Sequence, residues 1–241
     1  MPVSNKYSRL AIITVILLII YGSGVALRWR IVEGLDRYFN GLIFVRESAF
    51  YFYFANELDK KGTLPEIDYK AQYPEGFDVE KEHNFAKGKF TVLIHKIPPL
   101  RNIHFEKFAR YFDAIFFCLG AIPLFLISRI ISKNDWLGLA LSAIYLTAMP
   151  VLPRSTGAGF DMETFSIPLL ITHIFLFLYG ISRNRFLFSL LSGLALGIAI
   201  AGWDFCQFYM LIFSGFVFLA ILVLLLPEFQ MSRILILLLF H

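Results

Sequence analysis

Charge is scarce in this sequence. Asp, Glu, Lys and Arg make up 17% of its 241 residues, against about 25% in a soluble domain. A chain so poor in charge cannot clothe a soluble surface, and its mean hydropathy of +0.67 marks an integral membrane protein. Cysteine is scarce as well. Cys118 and Cys206 each fall inside an apolar run, which argues against a disulfide or a metal pair and leaves two small core residues. No Asn-x-Ser/Thr triplet occurs, so the chain is not expected to be N-glycosylated itself. A Walker loop, a G-x-S-x-G elbow and a dinucleotide glycine fingerprint are all missing, and soluble nucleotide chemistry has no support. Tandem repeats and low-complexity tracts are missing too. The net charge of +4 and pI of 9.0 do not signal nucleic acid, because the basic residues sit mostly in short gaps between apolar runs, where membrane topology places them.

Aromatic residues, by contrast, are plentiful. The chain has 27 Phe and 11 Tyr, which suit interfacial belts and lipid-facing helices alike. Six apolar runs approach the ~20 residues a bilayer needs: roughly 9–27, 108–128, 136–153, 162–182, 186–203 and 206–226. The expected fold is an all-α, polytopic transmembrane helical bundle. The first run follows Lys6 and Arg9, lacks a small-residue cleavage site, and reads as an uncleaved signal anchor. The closing stretch SRILILLLFH begins a seventh run that stops at His241. About ten apolar residues do not cross a bilayer, so residues 1–241 are expected to be the N-terminal part of a larger multi-span protein.

Basic residues orient the bundle. Lys6, Arg9, Arg129, Lys133, Arg183, Arg185 and Arg233 lie on the N-terminal side, while the short loops opposite offer only Arg154. The positive-inside rule then puts the N-terminus in the cytoplasm. The long segment 28–107 becomes a large external first loop. Within it, FNGLIFVRESAFYFYFANELDKKG (39–62) reads as an aromatic helix lying along the headgroups, ended by Gly62. A turn-rich stretch, LPEIDYKAQYPEGFD (64–78), and a basic aromatic piece running to Pro98-Pro99 follow.

The chemistry-bearing candidates gather on the external side. RSTGAGFDMETFSIPLL (154–170) places Asp161 and Glu163 at the lip of an apolar run. An acid there serves as a helix N-cap and meets the positive end of the helix dipole. Gly157 and Gly159 also permit an irregular turn, in which the two carboxylates converge, repel, and recruit a cation. Hard oxygen ligands favour Mg²⁺ or Mn²⁺. Both readings stay open on local sequence. Glu47, beside Arg46 in the aromatic helix, is either a solvated residue with a local partner or a third acid on the same face. Asp204 follows Trp203 at the start of the sixth run, and Asp113 lies near the external start of the second. His83, His95 and His104 lack zinc-ligand spacing and read as surface histidines. His173, inside the fourth run, is a hint of function or a neutral His packed between helices.

The order of these features resembles a known family. A signal anchor precedes a large external loop with an early acid, RESAFYFYFANEL (46–58), and a YPEG turn (73–76). Then comes R-x6-D-x-[DE], here RSTGAGFDMETF (154–165), followed by GIAIAGWDFCQFYM (197–210). The pattern is similar to the N-terminal portion of the oligosaccharyltransferase catalytic subunit and its single-subunit bacterial and archaeal relatives. These are metal-dependent, GT-C fold glycosyltransferases that use lipid-linked donors. The resemblance implies transfer of a glycan from a polyprenyl (pyro)phosphate carrier to asparagine of an exported polypeptide.

It further implies Glu47 as the first-loop acid, a metal ligand that also contacts the acceptor amide. Asp161 would be the main metal ligand, Glu163 its partner acid, and Arg154 their electrostatic support. Mg²⁺ or Mn²⁺ is the implied cofactor. The implied partners are the polyprenyl-linked glycan donor, the acceptor polypeptide and the lipid bilayer, with no nucleic acid. The site would face outward from a prokaryotic plasma membrane, or into the endoplasmic reticulum in a eukaryote. The sequence departs from the family by carrying Glu rather than Asp at position 47. It also lacks the later acidic motif, the pyrophosphate-binding arginine and the soluble domain. Two other functions fit the same features: a GT-C enzyme using a polyprenyl-phosphate monosaccharide to modify lipid or Ser/Thr, and a non-enzymatic membrane scaffold or transporter half.

Overall fold

A computed structural model describes residues 3–39, 48–72, 74–79, 81, 85–149, 152–156 and 158–225. Glu47, His83, Tyr73 and the apolar tail 226–241 lie outside them. The described chain is mostly helical. α1 (Val3–Phe39) leads into α2 (Ser48–Lys61), a short antiparallel hairpin of β1 (Ile67–Asp68) and β2 (Phe77–Asp78), and α3 (Ala86–His95). Then follow α4 (Phe105–Leu119), α5 (Ala121–Ser132), α6 (Asp135–Thr147), α7 (Leu152–Ser155), α8 (Met162–Arg183), α9 (Phe186–Gly202) and α10 (Cys206–Leu225).

Three segments are long and apolar enough to cross a membrane: Tyr7–Tyr38, Phe105–Ser132 and Met162–Arg183. α6, α9 and α10 are apolar but shorter. Leu187, Leu190 and Leu194 on α9 and Leu211, Ile212 and Phe216 on α10 are exposed. An apolar belt of this extent suits a bilayer rather than water.

Local chemistry explains the helix boundaries. The Asn134 side chain caps α6, accepting from the Trp136 and Leu137 amides at 2.9 and 3.4 Å. Asn184 ends α8 in the left-handed region at φ 49°, a conformation its short polar side chain tolerates. The Arg185 amide closes that turn on the Gly180 carbonyl at 3.0 Å. α8 and α9 then pack antiparallel along their length. At their far end Gly202 allows close approach, since a Cβ there would meet Phe165 Cδ1 at 2.6 Å. α5 and α6 form a second antiparallel pair, with α1 against α6 and α4, and both α4 and α5 against α8.

The expected runs correspond to helices, with differences. The first does not stop near residue 27: α1 continues to Phe39 and, at 37 residues, spans about 56 Å, well beyond a ~30 Å hydrocarbon core. Its extension is tied down by polar bonds. Arg28 is completely buried, and Asp36 pairs with Arg110 of α4 at 2.7 Å. The second run is two helices meeting at Gly120, and the third ends at Thr147.

The aromatic helix also differs from expectation. Its described part, α2, packs against α3 and α4, and its aromatic side chains turn into protein. Phe54 is fully buried, edge-on to Phe50 and tilted against Phe77 and Phe85, and Phe52 stacks on Phe105 and meets Phe160 edge-on. Gly62 does end this helix, with φ 79°. The hairpin is held to α2 by Tyr53, whose hydroxyl donates to Asp68 at 2.8 Å. His95 is buried, not at the surface. It bonds Asp59 at 2.9 Å and the Ile103 carbonyl at 2.8 Å, against Phe105 and Phe108. His104 is exposed. Cys118 and Cys206 are free and buried, as their apolar setting implied.

Candidate functional site

Asp161 stands at the N-cap position of α8 with extended backbone, φ −82° and ψ 145°. Its carboxylate makes no capping bond. It accepts instead from the Ser48 hydroxyl at 2.6 Å, 113 positions away on α2. Position and side chain are thus uncoupled: the residue starts the helix, but its carboxylate serves the approach of α2. Burial pushes the Asp161 carboxyl above the ordinary carboxylate range, and the charge of Glu163 adds to this. The Ser48 hydrogen bond and the cations Lys87 and Arg154 oppose it.

Glu163, in the first turn of α8, pairs with Arg154 of α7. Glu163 is mostly shielded, while the Arg154 side chain is 59% exposed, leaving part of a positive guanidinium at the mouth. α7 is anchored from below. Arg28 donates from Nε to Ser155 Oγ at 2.9 Å and from Nη1 to the Gly24 and Leu146 carbonyls, each at 3.1 Å. Its guanidinium lies over Phe117, 5.0 Å from the ring centre. Arg28 therefore ties α1, α6 and α7 together directly beneath Arg154.

Lys87 is the site residue that the sequence pattern does not single out. It lies on α3 with its side chain 3% exposed. Its ammonium meets Asp113 Oδ1, the Asp161 carbonyl and Thr164 Oγ1, each at 2.7 Å. It also sits 4.1 Å from the Phe160 ring centre. An ammonium has three N–H donors, and all three are used. Burial drives the Lys87 pKa down, and Asp113 resists that most strongly. Thr164 Oγ1 lies 2.9 Å from both Asp113 oxygens and 2.6 Å from the Asp161 carbonyl. The network pins the backbone at which α8 begins, and with it the Asp161 side chain. The one available sequence signal is a pair of lysines, Lys87 and Lys89, among small and apolar residues in FAKGKF (85–90).

Two cavities open at this mouth. The polar one, about 230 Å³, is lined by Tyr51, Asp161, Glu163, Trp203 and Asp204 among others. The apolar one, about 200 Å³, lies among Phe117, Ser155, Thr164, Ile167 and Trp203, with Arg154 and Glu163 at its edge. Glu163 and Trp203 line both.

The structure thus brings Asp161, Glu163 and Arg154 together. Asp204 reaches the same polar cavity. Glu47 lies outside the described residues. Asp161 and Glu163 offer the hard oxygen donors that suit Mg²⁺ or Mn²⁺. Among the described residues, however, no three His, Cys, Asp or Glu side chains group closely enough to hold a metal ion. The donors fit such an ion in kind, and these residues alone do not complete its shell. His173 is buried between α8 and α9, bonding the Ser192 hydroxyl at 2.8 Å, a helix-to-helix contact away from the mouth. No family model matches the chain, and no curated protein matches it either.

Proposed function

We propose that the chain belongs to a membrane glycosyltransferase of the lipid-donor type, a GT-C-like bundle with six crossing helices and its site at the outer lip. The reaction is transfer of a glycan from a polyprenyl (pyro)phosphate carrier to an asparagine of an exported polypeptide. The observation that carries this reading is the Ser48–Asp161 hydrogen bond at 2.6 Å. It joins the two sequence motifs on which the family resemblance rests, 46–58 and 154–165. Ser48 directly follows Glu47 in the chain.

The paired cavities support the same reading. An amphiphilic donor needs an apolar place for its lipid and a polar one for its head, side by side. Trp203 and Glu163 line two such spaces at once. Arg154 is exposed enough to meet an anionic (pyro)phosphate, and its tie to Glu163 fixes where it stands. Asp161, with Glu47 and Glu163, would hold Mg²⁺ or Mn²⁺, and the ion would orient the acceptor and offset charge near the leaving group. Lys87 and Thr164 act earlier in the causal chain, holding the Asp161 backbone so that its carboxylate needs no reorganisation.

The test is glycan transfer by the protein in its native membrane, from a polyprenyl-linked donor to an asparagine peptide, with Mn²⁺ or with chelator. Chelation should abolish transfer. Asp161→Ala and Glu47→Ala should each lower it by about two orders of magnitude, the scale on which one preorganised electrostatic group acts. Unchanged transfer in both variants would sink the assignment.

A further inference from the structure

The opposite end of the bundle holds a cavity that the external site does not use. It measures about 440 Å³ and lies between the start of α1 and the turn joining α5 to α6. Small-ligand sites fall within roughly 300–1,000 Å³. Three cations line it, Arg9, Arg129 and Lys133, with one acid, Asp135. Three positive charges and one negative leave the lining at +2.

Asp135 acts as a brace. Arg9 Nη2 donates to its Oδ2 at 3.0 Å, and Arg129 Nε forms an ion pair with its Oδ1 at 3.0 Å. The carboxylate is nearly buried, while the two arginine side chains are 64% and 45% exposed. Each guanidinium carries five N–H donors in a planar fork, and the bond to Asp135 uses one. Two forks are therefore held side by side, with donors to spare, in a geometry suited to phosphate oxygens. Lys133 joins them from the turn, where its backbone is left-handed at φ 54°.

The remaining wall is apolar. Leu10 and Ile13 line the same cavity. Both belong to the apolar segment that begins at Tyr7, and Leu10 is 47% exposed. A charged floor beside a hydrocarbon wall, at the basic end of a spanning bundle, matches a headgroup with its acyl chains attached. A soluble phosphate would use only the charged half. We propose that this cavity binds the phosphate headgroup of an anionic phospholipid, with its chains lying along α1. The site is separate from the glycosyl-transfer site and stands or falls independently of it. It couples α1 to the α5–α6 hairpin through the lipid, at a place where basic pockets between spanning helices take anionic headgroups.

The experiment uses the whole chain purified in a neutral detergent. Dioctanoyl phosphatidylglycerol, dioctanoyl phosphatidylcholine and glycerol 3-phosphate are titrated in turn. Binding is read by native mass spectrometry and by the rise in thermal midpoint. Phosphatidylglycerol should bind at least tenfold more tightly than phosphatidylcholine, and more tightly still at low salt. In the Arg129→Gln/Lys133→Gln variant that advantage should fall at least fivefold. Lys133→Gln alone, at an exposed turn position, should cost two- to fourfold. This single variant decides the question if the double variant does not fold. Equal affinity for both lipids, or unchanged phosphatidylglycerol affinity in Lys133→Gln, overturns the proposal. Glycerol 3-phosphate binding as tightly as phosphatidylglycerol overturns the lipid assignment in favour of a soluble phosphate.

Discussion

The two ends of the bundle solve opposite problems with ion networks. At the mouth, Lys87 is sealed away with Asp113 and every donor is spent. At the other end, Arg9 and Arg129 share Asp135 but stay half in solvent. The sealed network makes a fixed geometry, at the cost of desolvating a full ion pair. The open network makes little stability and keeps donors available for a ligand. The difference shows that burial, more than the number of charges, decides whether an ion pair sets structure or recruits a partner.

Breaking the sealed network should have the largest effect. Lys87→Met leaves Asp113 buried without its counter-ion, which should cost about 3–5 kcal/mol, while Lys87→Met/Asp113→Leu should recover most of the loss. Thermal midpoints of the three proteins in detergent decide it. A single variant as stable as wild type would mean that the pair is not buried in the folded protein.

The next largest effect concerns Asp161 and pH. Its folded pKa is raised, so the fold favours the protonated acid. That contribution is complete below the unfolded value of about 3.9 and is lost as pH rises through the folded one. Asp161→Asn is neutral throughout. Its thermal midpoint should therefore gain on wild type as pH rises above about 4. A gap that stays constant over that range contradicts the assignment.

Arg154→Gln should be milder, about 1 kcal/mol or less, because the arginine is largely solvated. Its effect on transfer should exceed its effect on stability. The smallest change is expected for Arg9→Gln, within about 1 kcal/mol without lipid. Comparing it with Lys87→Met in one melting series sharpens the contrast between the two ends.

Much of this is legible in the sequence. Each of the six apolar runs forms helix over most of its described length, because long apolar runs bounded by residues such as Asn134 and Asn184 leave the backbone few alternatives. The acids at 161 and 163 are legible because two carboxylates between apolar runs are conspicuous. Lys87 is not. What buries it is Asp113, Thr164 and the Asp161 carbonyl, 26 to 77 positions further along the chain, and no local pattern encodes such partners. The aromatic face of α2 is legible as apolar but not as protein-facing, since rings that suit headgroups suit a core equally well. His95 reads as a surface residue for a related reason: its partner Asp59 is 36 positions away. The Asp161 side chain escapes the capping rules because Ser48, 113 positions back, competes for the carboxylate.

The most direct measurement is a Mn²⁺ titration of the purified protein, following the free-ion electron paramagnetic resonance signal in wild type and Asp161→Asn. Wild type should deplete the signal through a single class of site, and Asp161→Asn should bind at least tenfold more weakly. Equal depletion by the two proteins would contradict Asp161 as the metal-holding residue at the mouth.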